Sequence, residues 1–215
     1  MSREELIKLL TIEHELGVTE IAAPKLDAVP AKKTMLDALA KEYKNCQNCG
    51  LSKTRTQVVF GSGNPNARLL FIGEAPGFDE DREGFPFVGK AGQLLTKIIE
   101  AMKLGREEVY IANCLKCRPP GNRNPLPDEI AICQPILLKQ IEIIQPEVIC
   151  ALGKFAAQTL LKTEQPISRL RGRFHDWNGI PLMPTFHPAY LLRNPEDKKL
   201  VWADVQQIIK KLNLG

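Results

Sequence analysis

Three stretches of the 215-residue chain carry side chains suited to chemistry, and each follows an apolar run. ARLLFI leads into Gly73-Glu74-Ala75-Pro76-Gly77, YIA into Asn113-Cys114, and PLMPT into Phe186-His187-Pro188. A carboxylate can orient or activate water, and an amide presents both a donor and an acceptor. An imidazole can donate a hydrogen bond near neutral pH. The first stretch continues as GFDEDREGFPFVGKAG. A glycine-rich turn between strand and helix commonly cradles phosphate, but this one has no Walker lysine and no GxGxxG, and it is rich in acids. It therefore suits an uncharged ligand. Only the closing Gly89-Lys90-Ala91-Gly92, at a helix start, is suited to an anion.

The cysteines form a second constellation. Cys46 and Cys49 make one CxxC, Cys114 and Cys117 another, and Cys133 follows Cys117 after fifteen residues. Spacing alone reads CxxC…CxxC as a four-thiolate zinc site. Yet Cys114 ends an apolar run and would point into a sheet, whereas Cys117 opens the loop CRPPGNRNPLPDE. Cys46, Cys49, Cys117 and Cys133 would instead staple the N-terminal segment to that loop and the helix it enters. Four thiolates hold zinc or an iron–sulfur cluster, and spacing leaves both open. Cys150, inside EVICALG, reads as a buried small hydrophobe.

These groups need a scaffold that brings them together. Strand patterns at 68–73, 108–113, 147–152 and 180–186 alternate with helical patterns at 88–103, 128–145, 153–162 and 196–212. Such alternation predicts an α/β fold: a three-layer α/β/α arrangement with a central, mostly parallel four-stranded sheet. Ligands of such sheets bind beyond the carboxyl ends of the strands, which would gather Glu74, Asn113 and His187 at one rim. Pro135 predicts a late start or a kink within 128–145. Thr34 is the N-cap candidate for MLDALAKEY. Residues 3–10 read as a short amphipathic helix and 17–33 as a linker, giving an arm (1–33) and a main α/β domain (34–215). His14, in the arm, and His175, in a turn-like RGRFHDWNG, carry no pattern of their own.

The 44% hydrophobic and 25% charged composition is that of an ordinary globular protein. A net charge of +4 permits a nucleic-acid partner without requiring one. MSREELIKLL lacks a secretory h-region, and no run approaches the roughly 18 apolar residues of a membrane span. A cytoplasmic protein without a membrane partner is expected, so six cysteines are not explained by disulfides.

With GEAPG, CRPPGNRNP, the four cysteines and HPAYLLRNP on view, the chain resembles the family 4 uracil-DNA glycosylases, the iron–sulfur members of their superfamily. The resemblance runs from about residue 36 to the C-terminus, with the motifs in the expected order. It implies excision of uracil from DNA, and a [4Fe-4S] cluster held by Cys46, Cys49, Cys117 and Cys133 in a structural role, leaving Cys114 aside.

Residue roles follow from the same resemblance. Phe87 matches the aromatic that stacks on the flipped base, and Asn113 the amide that reads its edge. Glu80 matches the glutamate that excludes thymine, where family 1 enzymes use a tyrosine at the position of Gly77. The flanking Asp79 and Asp81 leave open that these acids merely form a solvated face. His187 would stabilise charge developing on uracil O2. Ala75 stands at the position of the family 1 general-base aspartate, beside the base. Glu74, helped by Asn122, is the substitute for placing water. DNA would be held at Lys90, Arg118, Arg123 and Arg193, with Leu191, Leu192 or Arg193 as the wedge. A relative that stays covalently bound to its product carries a histidine in the loop after the third cysteine, and CRPPGNRNPLPDE has none. A non-catalytic iron–sulfur DNA-binding module is the rival from another class. A monomer acting on single- or double-stranded uracil-containing DNA is expected. The arm is read as packed on the domain, with a repair or replication partner as its alternative role.

Overall fold

The computed structural model describes residues 31–214, which belong to one compact unit. The helix expected at 3–10 and His14 lie outside the described residues. Among those described, the sheet has six strands: β1 (Ser62–Gly63), β2 (Leu69–Gly73), β3 (Tyr110–Asn113), β4 (Val148–Leu152), β5 (His175–Trp177) and β6 (Ile180–Thr185). Their order is β1-β3-β2-β4-β6-β5. The four expected strands form the parallel centre, and β1 and β5 add antiparallel edges.

Side chains alternate between the faces of the sheet, and both faces are covered. Leu70, Ile72, Ile149 and Ala151 pack with Leu137, Ile141 and Ile144 of the helix Pro127–Ile144, and with Ala156 and Leu160 of Lys154–Leu161. Leu69, Phe71, Ile111 and Cys150 pack on the other side with Leu95 and Ile99 of the helix Lys90–Ala101, and with Val201, Val205 and Ile208 of Lys198–Lys211. This period of two is why strands covered on both faces read as unbroken apolar runs.

Three local expectations are corrected. The first described helix starts at Lys32, with Ala31 rather than Thr34 as N-cap. Lys32 Nζ donates to the Ile144 carbonyl at 2.7 Å and Lys33 pairs with Asp37 one turn on, so both lysines leave the linker for the helix. The helix Pro127–Ile144 runs through Pro135 for 18 residues. It therefore does not start late at Pro135; Pro135 and Ala131 are both exposed, so solvent can take the carbonyl that proline leaves unpaired. His175 lies in β5, its Nε2 2.8 Å from the Leu170 carbonyl oxygen. The hairpin to β6 turns on Asn178-Gly179, both at positive φ (50° and 84°), as the tightest hairpins require. No described helix is long and apolar enough to cross a membrane.

Candidate active site

Strand register levels the ends of the central strands, with Gly73 beside Asn113 and Leu152 beside Thr185. The ladder runs past the strands: Cys114 N–H donates to the Gly73 carbonyl and Leu115 N–H to that of Glu74, both at 3.0 Å. Beyond these ends lies a cavity of about 430 Å³ lined by Glu74, Ala75, Gly77, Glu80, Phe87, Asn113, Asn122, Arg123, His187, Tyr190 and Arg193, among others.

Asn113 is 2% exposed, and its side-chain Oδ1 has no hydrogen-bond partner among the described residues. A buried unpaired acceptor costs about 1–3 kcal/mol, which a ligand N–H would offset. A Cβ on Gly73 would collide with Oδ1 of Asn113 and with the Phe87 ring, so glycine is what lets these two side chains share one wall. Phe87 itself has a left-handed backbone (φ 54°), uncommon for a bulky side chain and typical of functional loops. Gly92 has no room for a Cβ against the Phe87 carbonyl, and Arg106 donates to that of Pro86. The Phe87 ring centroid stands 5.5 Å from that of His187.

His187 follows β6 and caps the short helix Pro188–Leu191, its Nδ1 accepting the Ala189 N–H at 3.1 Å. The ring proton therefore sits on Nε2. Burial and the nearby Arg193 push the His187 pKa down to about 4, so the ring is neutral at physiological pH. The strand end that carries it is anchored from below. Thr185 Oγ1 donates to Asp204 at 2.6 Å, and Arg171 makes a two-pronged pair with the same carboxylate at 2.6 and 3.0 Å. Glu74 is half-buried, and its pKa is raised to about 6 by desolvation, partly offset by Lys154.

The acidic loop is not a solvated face. Glu80 accepts N–H bonds from Val88 and Gly89 (3.0 Å each) and from Gly77 (3.1 Å). A Cβ on Gly77 would stand 2.7 Å from Glu80 Oε2, so this carboxylate occupies the space a side chain at 77 would fill. Asp81 is 3% exposed and accepts the Thr56 N–H through both oxygens. The expected phosphate position at Gly89-Lys90-Ala91-Gly92 thus already faces a carboxylate of the same chain. Its glycine at 92 serves packing on Phe87, and Lys90 is exposed at the helix start.

The remaining expected residues separate. Asn122 sits at positive φ (56°) on the cavity rim, its Oδ1 accepting from Arg118 Nε at 2.7 Å. Arg123 lines the cavity, but both its terminal nitrogens bond the buried Glu129 (2.6 and 2.9 Å), so it pins the loop more than it presents a charge. Leu191 is removed from the wedge candidates: it is 1% exposed, because the helix turn aims it at the core. Leu192 is 47% exposed and Arg193 is exposed on the rim.

Beside the cavity, Cys49, Cys117 and Cys133 pack around Leu51 and Leu115. Arg55 donates to Cys117 Sγ at 3.3 Å and to the Cys46 carbonyl at 2.6 Å, tying in the fourth cysteine. The Lys116 N–H reaches Cys133 Sγ at 3.3 Å, while Lys116 Nζ donates to the Asn113 carbonyl at 2.8 Å. Among the described residues no three His, Cys, Asp or Glu side chains are placed to hold a metal ion. Cys114 and Cys150 lie in opposite core layers. Arg55, Lys116, Arg106 and Tyr190 were not singled out in the sequence. A lysine flanked by Leu115 and Cys117 in NCLKCR was the one available signal.

The signature of the Uracil DNA glycosylase superfamily matches residues 60–206. The chain is 46% identical over 187 residues to a Type-4 uracil-DNA glycosylase of Saccharolobus solfataricus, covering 83% of this chain and 87% of that one. It is 44% identical to that of Thermotoga maritima (82% and 94% covered) and 42% identical to that of Archaeoglobus fulgidus (80% and 91%). The chain belongs to the uracil-DNA glycosylase superfamily, in its type-4 branch.

Proposed function

We infer that this chain excises uracil from DNA: the uracil nucleotide flips into the cavity, water cleaves the C1′–N1 bond, and free uracil leaves an abasic site. The observation that carries this is the unpaired, buried Oδ1 of Asn113 on the wall shared with Phe87. Uracil N3–H supplies the donor that this oxygen needs, and the amide N–H matches uracil O4. Cytosine has the opposite pattern and would leave polar groups unpaired, which discriminates strongly. Phe87 supplies the stacking face, typically about 1–3 kcal/mol per base. Glu80 closes the space beside Gly77 where a thymine methyl would enter.

In the departing uracil, negative charge gathers at O2. The neutral His187 ring, with its proton fixed on Nε2 by the Ala189 contact, is a preorganised donor for that charge. Glu74, ionised above its raised pKa, orients the attacking water and offsets positive charge at C1′, with Asn122 at the rim beside it. The water oxygen bonds to C1′, and a proton ends on the uracil anion. Arg118, Arg193, Lys90 and the exposed Leu192 are the candidate contacts to DNA.

Cys46, Cys49, Cys117 and Cys133 fit a [4Fe-4S] cluster: an all-cysteine set with an apolar lining and N–H donors on two sulfurs. A cluster takes one thiolate per iron, so its ligands need not close on a single point as those of one zinc ion must. When bound, it supplies a four-point staple next to the Asn113 segment. The test incubates purified protein with uracil-containing single- and double-stranded oligonucleotides, followed by alkali. Strand cleavage and free uracil are expected, and intact strands with both substrates would sink the proposal.

A further inference from the structure

The helix Phe78–Glu83 carries a side chain that base excision leaves unused. Phe78 follows Gly77 of the cavity wall, yet it is 56% exposed and is part of no core cluster among the described residues. The guanidiniums of Arg118 and Arg82 stand 5.1 and 5.9 Å from its ring centroid. Arg82 is committed to Glu83 at 3.0 Å. Arg118 instead reaches Asn122 on the cavity rim, so the ring is tied to the site through one arginine.

We propose that Phe78 and Arg118 form a shelf on which an unpaired base next to the flipped uracil stacks, favouring single-stranded DNA. This rests on the excision reading above. Every base has a π face, so such stacking needs no particular sequence, and Arg118 adds a cation at the ring for the adjoining phosphate. The helix also carries Asp79 and Glu83 near its surface, which share the one guanidinium of Arg82 at 3.9 and 3.0 Å, so this face stays net negative. A duplex keeps its bases stacked inside and turns its phosphates outward, towards these acids. A single strand can turn a base onto the ring and keep its phosphates away. The shelf therefore contributes to single-strand affinity and little to duplex affinity.

The test compares wild type, Phe78→Ala and Phe78→Tyr by fluorescence anisotropy. The probes are one uracil-containing strand, its duplex, and the same strand with an abasic residue beside the uracil. Phe78→Ala should weaken single-strand binding roughly tenfold and duplex binding by less than about twofold. Phe78→Tyr should bind as wild type, and the alanine penalty should vanish beside the abasic residue. Unchanged single-strand affinity, equal losses on both forms, or a penalty that survives the abasic neighbour would overturn the shelf. Uracil release by wild type is followed in parallel. No release defeats the excision reading, whereas release with an unaffected Phe78→Ala defeats the shelf alone.

Discussion

At the scale of single residues, the site separates two titrating groups by their surroundings. Glu74 ionises near pH 6 because burial disfavours its charge, while His187 does not take a proton until about pH 4. If the Glu74 carboxylate is required, the single-turnover rate should fall as pH drops through about 6, and His187 should not contribute above about 4. Glu74→Gln should lower the rate by at least about 100-fold and remove that acid limb. A Gln variant near wild-type rates would exclude the water-placing role. His187→Ala should cost roughly 100- to 1,000-fold in the chemical step, the range for a lost preorganised donor, with uracil-DNA binding far less affected. Glu74, Asn113 and His187 were legible in the sequence because each ends an apolar run, and strand ends are where such sheets bind ligands. Leu191 was misjudged because residues 188–191 form a helical turn, and one residue of phase decides whether a leucine meets core or solvent.

At the scale of elements, close backbone approaches set the pocket. The helix Lys90–Ala101 leans on the Phe87 carbonyl through Gly92, and Gly73 makes room for Phe87 and Asn113. Gly92→Ala should push the Phe87 loop outward and destabilise the protein by about 1–3 kcal/mol, read as a shift in denaturant midpoint. Its uracil release should fall further than stability alone explains, since Phe87 is displaced. Unchanged stability and activity would show that the loop yields at no cost. The four central strands and the principal helices were readable from period and length. The edge strand Ser62–Gly63 was not, because two residues carry no period. Its counterpart His175–Trp177 was announced only by the Asn-Gly turn behind it. The late start expected at Pro135 does not occur, because propensity counts the lost hydrogen bond but not which face of the helix it falls on.

At the scale of the molecule, the cysteine-bearing segments and the strand ending at Asn113 are one mechanical piece. Lys116 touches Cys133 with its backbone and the Asn113 carbonyl with its side chain. Protein purified without oxygen should be brown and contain iron. Cys133→Ser should lose the colour, lower the melting temperature and weaken uracil release, whereas a colourless, fully active wild type would rule out the cluster. The sequence offered Cys46, Cys49, Cys117 and Cys133 as candidate ligands through the family resemblance, but not Arg55 or Lys116, whose contacts arise only when distant segments meet. Glu80 carries a consequence of its own. The carboxylate that fills the wall beside Gly77 also joins the turn at 77 to the loop at 88–89. If Glu80 excludes thymine as proposed, substrate choice and loop assembly are one variable: a smaller side chain at 80 that opened the pocket would also remove the acceptor for three N–H groups of its frame. On that role, a lineage drifting towards a broader substrate range would have to rebuild that junction first, and selectivity would be protected by the need to fold.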